Sequence, residues 1–242
     1  MKPDQVIEIV GDTPHTTHAQ GRALYDLVLK HRLSRCLEMG FAHGVGSVWI
    51  AAALQELGGG KLISVDNESA HDRKPTARQL LDKAGLSSFV DLHYDETSYN
   101  WHLHNHWDDY LDDKFDMIFL DGAHNWDVDA LAFFLGDRIL KKGGWFLFDD
   151  IYWSYAGSPS LQNTPAVLAM SPAMRDTQHV RSIWERLGLP NPAYGNFLDD
   201  GTRGWAQKVG EDQPAGRTLT VRQEDHSLTG RVLRKVRKLT GG

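Results

Sequence analysis

The sequence predicts an α/β fold: a doubly wound, mostly parallel seven-stranded sheet with helices on both faces and an antiparallel edge hairpin. Three observations predict it. Short apolar runs alternate five times with helical segments along residues 36–150. Four of the runs end in acids, at Glu38, Asp66, Asp121 and Asp149-Asp150. Two further short segments, 194–198 and 204–209, can pair across the Asp200-Gly201 turn.

The elements follow in order. Residues 1 to about 20 are polar and turn-rich, and 21–31 carry apolar residues at helical spacing. Strand one covers 36–39 and leads through a glycine turn to a helix over 46–57. Strand two is 61–66, with a helix near 75–84. Strand three is 89–93, with a less regular helix in 97–112. Strand four is 115–121, with a helix over 127–139. Strand five is 145–150, set up by a Gly143-Gly144 turn. Residues 151–175 read as a lid or substrate loop, and 176–188 as a helix. Residues 1–213 thus form one domain, and 214–242 a basic tail carrying RVLRKVRK at 231–238.

Composition narrows the function classes. The 242 residues carry 26 Lys plus Arg against 32 Asp plus Glu, a net charge of -6, which gives no general affinity for nucleic acid. No window of eighteen apolar residues predicts a membrane span. The opening MKPDQVIEIVGD lacks the apolar stretch of a signal peptide. One cysteine, Cys36, sits in an apolar run and reads as a buried thiol in a reducing compartment. Cytoplasm is the default location, and a homo-oligomer would be unsurprising.

The segment Glu38-Met39-Gly40-Phe41-Ala42-His43-Gly44-Val45-Gly46 joins strand one to its helix. Gly40 and Gly44 let a ligand approach the main chain. The spacing is not the dinucleotide fingerprint, and no lysine-serine pair ends it as in a phosphate loop. Glu38 would repel a pyrophosphate and suits a cationic amino-acid group or a water. Asp66 can accept both hydrogen bonds of a ribose diol. An adenosine-type ligand without phosphates satisfies both.

On these residues the chain resembles the Rossmann-like methyltransferases that use S-adenosylmethionine. Their first motif, an acid, a glycine, three residues and another glycine, is matched by Glu38, Gly40 and Gly44. The resemblance implies a ribose role for Asp66 and places Asp95, after strand three, near the adenine.

Asp121, Asp149 and Asp150 end two neighbouring strands, so their carboxylates can converge. Unpaired carboxylates at close range raise one another's pKa unless a cation is present, and Mg²⁺ or another hard divalent cation would serve. FLDGAHNWD and GGWFLFDD, with the lead-in HAQGRALY at 18–25, resemble the metal-dependent O-methyltransferases that modify macrolide (macrocin) and aminocoumarin sugars. That resemblance implies these three aspartates as metal ligands and a hydroxyl of a small molecule, a sugar or glycosylated metabolite, as acceptor. His124 takes the place of the lysine base of the related catechol-type enzymes and is the candidate general base. The sugar subgroup instead uses an aspartate two residues after the metal ligand, where this chain has Ala123.

Other features read as structure. The run His102-Leu103-His104-Asn105-His106 lacks convergence from separate segments, as zinc sites need. Tyr152, Trp153, Tyr155 and Trp126 can wall an acceptor pocket. Two alternatives stay open: an O- or N-methyltransferase that needs no metal, and a cofactor-binding protein without catalysis. The glycine spacing and Glu38 weigh against a nicotinamide-dependent oxidoreductase.

Overall fold

A computed structural model describes residues 1–210; the basic tail expected over 214–242 lies outside them. The chain opens with α1 (Pro3–Val10), α2 (His18–His31), β1 (Arg35–Met39) and α3 (Val45–Leu57). Next come β2 (Lys61–Asn67), α4 (Ala77–Ala84), β3 (Val90–Asp95), α5 (Tyr99–Asn105) and α6 (Trp107–Asp112). Then follow β4 (Phe115–Leu120), α7 (Trp126–Ile139), β5 (Leu140–Phe148), α8 (Pro165–Leu168), α9 (Pro172–Asp176) and α10 (His179–Ile183). The last described strands are β6 (Tyr194–Asp199) and β7 (Gly204–Lys208).

The seven strands lie in the order β3-β2-β1-β4-β5-β7-β6. Strands β1 to β5 run parallel, and β7 is antiparallel to both β5 and β6. The predicted fold class is therefore the observed one. The order reverses between β1 and β4, which is where open sheets of this kind leave a crevice.

Period-two alternation divides the core into two layers. Cys36, Met117 and Phe119 face the layer of α1 to α4. Leu37, Met39, Ile118 and Leu120 face the layer of α5, α7 and α10. By the same alternation Glu38 and Ser64 share the α3 side of the sheet. Helix α3 is apolar nearly all round and buried from Val45 to Leu54, as a helix sealed under α1, α2 and α4 must be. Burial raises the pKa of the Cys36 thiol inside β1. No helix among the described residues is long and apolar enough to cross a membrane.

Four local expectations differ from the structure. The N-terminal segment, read as turns, holds α1. Pro3 sits in its first turn, Gln5 Oε1 accepts from Lys2 N–H (2.9 Å), and Val6 and Val10 are buried. The helix expected in 97–112 breaks at His106 into α5 and α6. The helix expected over 176–188 is α10 followed by a wider π-type turn, Trp184–Gly188. Strand five starts at Leu140, so Gly143 (φ 85°) lies within β5, where the register against β4 shifts; no turn precedes the strand.

Helices α2 and α3 meet across Gly21, where an added Cβ would run into the Trp49 indole. Gly21→Ala should cost about 1–3 kcal/mol of stability through overpacking. Urea unfolding measures it, and an unchanged midpoint would contradict the tight α2–α3 seam.

Candidate active site

A cavity of about 460 Å³ opens beyond the carboxyl ends of β1, β2 and β4. Glu38, Gly40, Asp66, Asp121, His124 and Asp150 line it; Gly44, Asp95 and Asp149 do not. Backbone bonds carry the sheet up to its rim: Gly40 N–H donates to Val65 O (2.8 Å), Asp121 N–H to Met39 O and Asp149 N–H to Leu120 O (both 2.9 Å). Seven described non-glycine residues have positive φ, and five of them, His15, Ala42, Ser98, His124 and Asp150, line this cavity. Such strain concentrates where surrounding structure enforces it, at functional sites above all.

The glycine turn is held by contacts on both sides. Gly40 has φ 93°, and an added Cβ would strike the Asp121 carbonyl. Only a bare backbone lets β1 and β4 end this close together. Gly44 (φ 82°) precedes α3, and an added Cβ there would strike Ala77. Asp66 Oδ2 accepts from the Phe41 and Ala42 amides (2.9 and 2.8 Å), and Oδ1 from Asn67 N–H (2.7 Å). A carboxylate accepts about four hydrogen bonds. Asp66 thus braces the turn and keeps acceptor capacity toward the cavity.

Glu38 lies beneath the start of α3 with 1% of its surface exposed. Its Oε2 accepts from the Ser47 hydroxyl and from the Ser64 hydroxyl (2.5 Å). Burial outweighs these bonds and pushes its pKa up to about 7.

Asp95 is turned away from the cavity. Its Oδ2 bonds His102 Nδ1 (2.9 Å), and His102 Nε2 reaches the Tyr110 hydroxyl (2.7 Å). Burial, then His93, lowers the His102 pKa to about 4. Thr97, Ser98 and Tyr99 line the cavity after β3 instead.

The three strand-end aspartates do gather, around a cation the sequence reading missed. Arg203, just after the Asp200-Gly201 turn, is fully buried. Its Nε bonds Asp149 Oδ1, its Nη1 donates to Gln20 O (2.7 Å), and its guanidinium stacks 4.9 Å from the Phe119 ring centre. Asp149 Oδ2 and Arg203 Nη2 are buried without a hydrogen-bond partner. Burial, then Asp149 and Asp150, pushes the Asp121 pKa well above the usual carboxylate range. Burial, then Asp149, raises Asp150. His124 Nε2 lies 3.9 Å from Asp121 Oδ1 and 3.6 Å from Asp150 Oδ2.

As arranged, this donor set does not fit a divalent cation. Asp149 gives an oxygen to Arg203, and no group of three His, Cys, Asp or Glu side chains among the described residues is placed to hold a metal ion. The histidine run makes no such group either.

The segment after β5 adds a wall: Trp153 packs 5.2 Å from His124, and Tyr155 packs on Trp153 at 4.9 Å. From the N-terminal side His15 stacks on His43 (5.4 Å), and both line the cavity with Arg73. The sequence signal for His15 and His43 was proximity to the glycine turn and the lead-in helix. Tyr99 carried no signal.

A raised Glu38 pKa has a defined sign. The native state binds the proton more tightly than the unfolded chain, so the stability it contributes is full below about pH 4.5 and is lost as pH rises through about 7. Glu38→Gln should remove on the order of 3 kcal/mol of this pH dependence. Urea midpoints at pH 5 and pH 8 test it; equal slopes in both proteins would contradict the buried carboxyl.

Residues 37–151 match the family model described as "Methyltransferase domain". No curated protein matches the chain. Among solved structures, the O-methyltransferase TomG of Streptomyces achromogenes, involved in tomaymycin synthesis and in complex with S-adenosylmethionine, is similar at 21% identity and TM-score 0.59, over 86% of this chain and 89% of that one. An O-methyltransferase of Bacillus cereus in complex with S-adenosylhomocysteine is similar at 18% identity and TM-score 0.60, over 86% and 92%. The methyltransferase PaMTH1 of Podospora anserina, bound to S-adenosylhomocysteine, is similar at 16% identity and TM-score 0.61, over 86% and 88%. The described residues thus have the class I, Rossmann-like fold of the S-adenosylmethionine-dependent methyltransferases.

Proposed function

We propose that the protein transfers a methyl group from S-adenosylmethionine to a hydroxyl or amine of a small molecule, by proton transfer to His124 and without a metal ion. One observation carries this reading: a carboxylate-rimmed cavity over a glycine turn, at the point where strand order reverses, with an imidazole beside two of the carboxylates. The match over 37–151 and the similar solved structures support the enzyme class.

Acids at the mouths of β1, β2 and β4 repel phosphates and suit an adenosyl ligand that carries a positive charge. Asp66 would accept from its ribose hydroxyls. Tyr99, Thr97 and Ser98 would flank the adenine in the place expected for Asp95. Glu38 would act from below, by fixing the start of α3 under the turn. When bound, S-adenosylmethionine supplies a methyl group on a cationic sulfur, ready for one-step substitution.

The chain's own contribution is positioning and proton management. Trp153 and Tyr155 give the acceptor an apolar wall with polar edges. His124 Nε2 is buried without a hydrogen-bond partner, so it would have a lone pair to spare for the acceptor's proton. Asp121 and Asp150 flank it and stabilise the imidazolium that results. Arg203 holds Asp149 in place, which sets Asp121 against it. The sugar or glycosylated acceptor rests on the sequence resemblance alone.

A second reading is favoured by the unpartnered Asp149 Oδ2 beside the Asp121 carboxylate. In that reading Asp121, Asp149 and Asp150 would hold a divalent cation, with Asp149 released from Arg203.

Transfer from labelled S-adenosylmethionine, across a panel of small hydroxylated and amino acceptors, tests both readings. Turnover should persist in EDTA; loss restored by Mg²⁺ would establish the second reading. His124→Gln should lower kcat about 100-fold or more while affinity for S-adenosylhomocysteine is kept. Unchanged turnover would refute the base. Asp66→Ala should weaken S-adenosylhomocysteine binding about 10-fold or more in calorimetric titration, and normal affinity would refute the ribose contact.

A further inference from the structure

We infer that Asp129, acting with Tyr99, is a positioning residue that clamps the His124 loop from both sides; the inference rests on the reading of His124 as proton acceptor. Asp129 lies in the first turn of α7 and is fully buried. Its Oδ2 accepts from Asn125 N–H at 3.0 Å. Its Oδ1 accepts from the Tyr99 hydroxyl. That hydroxyl in turn accepts from Ala123 N–H at 3.0 Å. The two amides that flank His124 therefore both end on one Asp–Tyr pair.

The rest of the loop fits the same pair. Gly122 lies against Tyr99 so closely that a Cβ there would collide with the ring. His124 itself has φ 53°, a conformation that a side-chain-bearing residue holds only when its surroundings fix it. Asn100 Nδ2 donates to Val128 O (2.9 Å), which ties α5 to α7 beside the clamp.

Helix capping accounts for one oxygen of the Asp129 carboxylate, since Oδ2 reaches back to the N–H of the cap residue Asn125, but not for Oδ1, which bonds Tyr99. Helix α7 already has its cap, because the Asn125 side chain accepts from Val128 N–H at 2.8 Å. Asp129 N–H donates to Asn125 O within the ordinary helical ladder. Its Oδ1 thus extends the cap to the rest of the loop through the Tyr99 hydroxyl. A buried carboxylate that accepts from a hydroxyl and an amide makes a stiff anchor, and stiffness at His124 is what an in-line transfer requires of its base.

Asp129→Asn keeps the shape of the side chain and removes its charge; Tyr99→Phe removes the hydroxyl alone. Three measurements on each variant test the clamp: hydrogen exchange of the Ala123 and Asn125 amides by NMR, calorimetric titration of S-adenosylhomocysteine, and kcat with KM for an acceptor found in the panel. Both amides should lose protection about 10-fold or more. In Asp129→Asn, kcat should fall about 10- to 100-fold, with KM and S-adenosylhomocysteine affinity nearly unchanged. In a His124→Gln background the same substitution should cost nothing further, because both act through one group. Unchanged amide protection in both variants would overturn the clamp, whatever His124 does. Lost protection with wild-type kcat, or losses that add in the double variant, would overturn its positioning role. Wild-type turnover in His124→Gln overturns the base assignment, and this failure is separable because the clamp is intact in that variant.

Discussion

Carboxylates that end neighbouring parallel strands repel one another, and a sheet can hold them together only with a countercharge. Here Asp121 and Asp149 face each other at the ends of β4 and β5, with Asp150 next in the chain. Arg203 is the fixed countercharge, delivered from the turn of the edge hairpin into a fully buried place. Removing one partner of such a buried pair leaves an uncompensated charge, at a cost of about 3–5 kcal/mol. The hairpin β6–β7 is therefore more than an edge to the sheet. It completes the electrostatics of the cavity rim.

The same charge arrangement links fold to chemistry. One carboxylate is matched by Arg203, while Asp121 and Asp150 stay close to an imidazole. A proton arriving at His124 would find two carboxyl groups already beside the ring, so its charge could be met with little rearrangement. The loops that present these groups are strained at His124 and Asp150. Strain of this kind persists because fixed partners hold the backbone: the Asp129–Tyr99 pair at the first, and the bond from Ile151 N–H to Thr202 O (2.9 Å) beside the second. Asp66 does the same for the glycine turn through the Phe41 and Ala42 amides.

The sheet was legible because its signal is periodic. Alternating runs such as FDMIFL must bury both faces, and only a sheet covered on two sides allows this. The switch point then follows from strand order, and acids at strand ends mark the cavity. What was not legible depends on partners remote in sequence. Asp95 sits where an adenine contact was expected, yet His102, seven residues on, takes its carboxylate. Arg203 lies over fifty residues beyond Asp149, and no local pattern announces the pair. Helix α1 was hidden because only Val6 and Val10 of its short span are buried. The metal expectation counted carboxylates without the arginine among them.

A crystal structure with S-adenosylhomocysteine would place the ligand against these groups. The ribose hydroxyls should lie on Asp66, the adenine beside Tyr99, and the sulfur facing the space between His124 and Trp153. A ligand seated elsewhere, or Asp66 still bound only to the glycine turn while the ribose points to solvent, would contradict this placement.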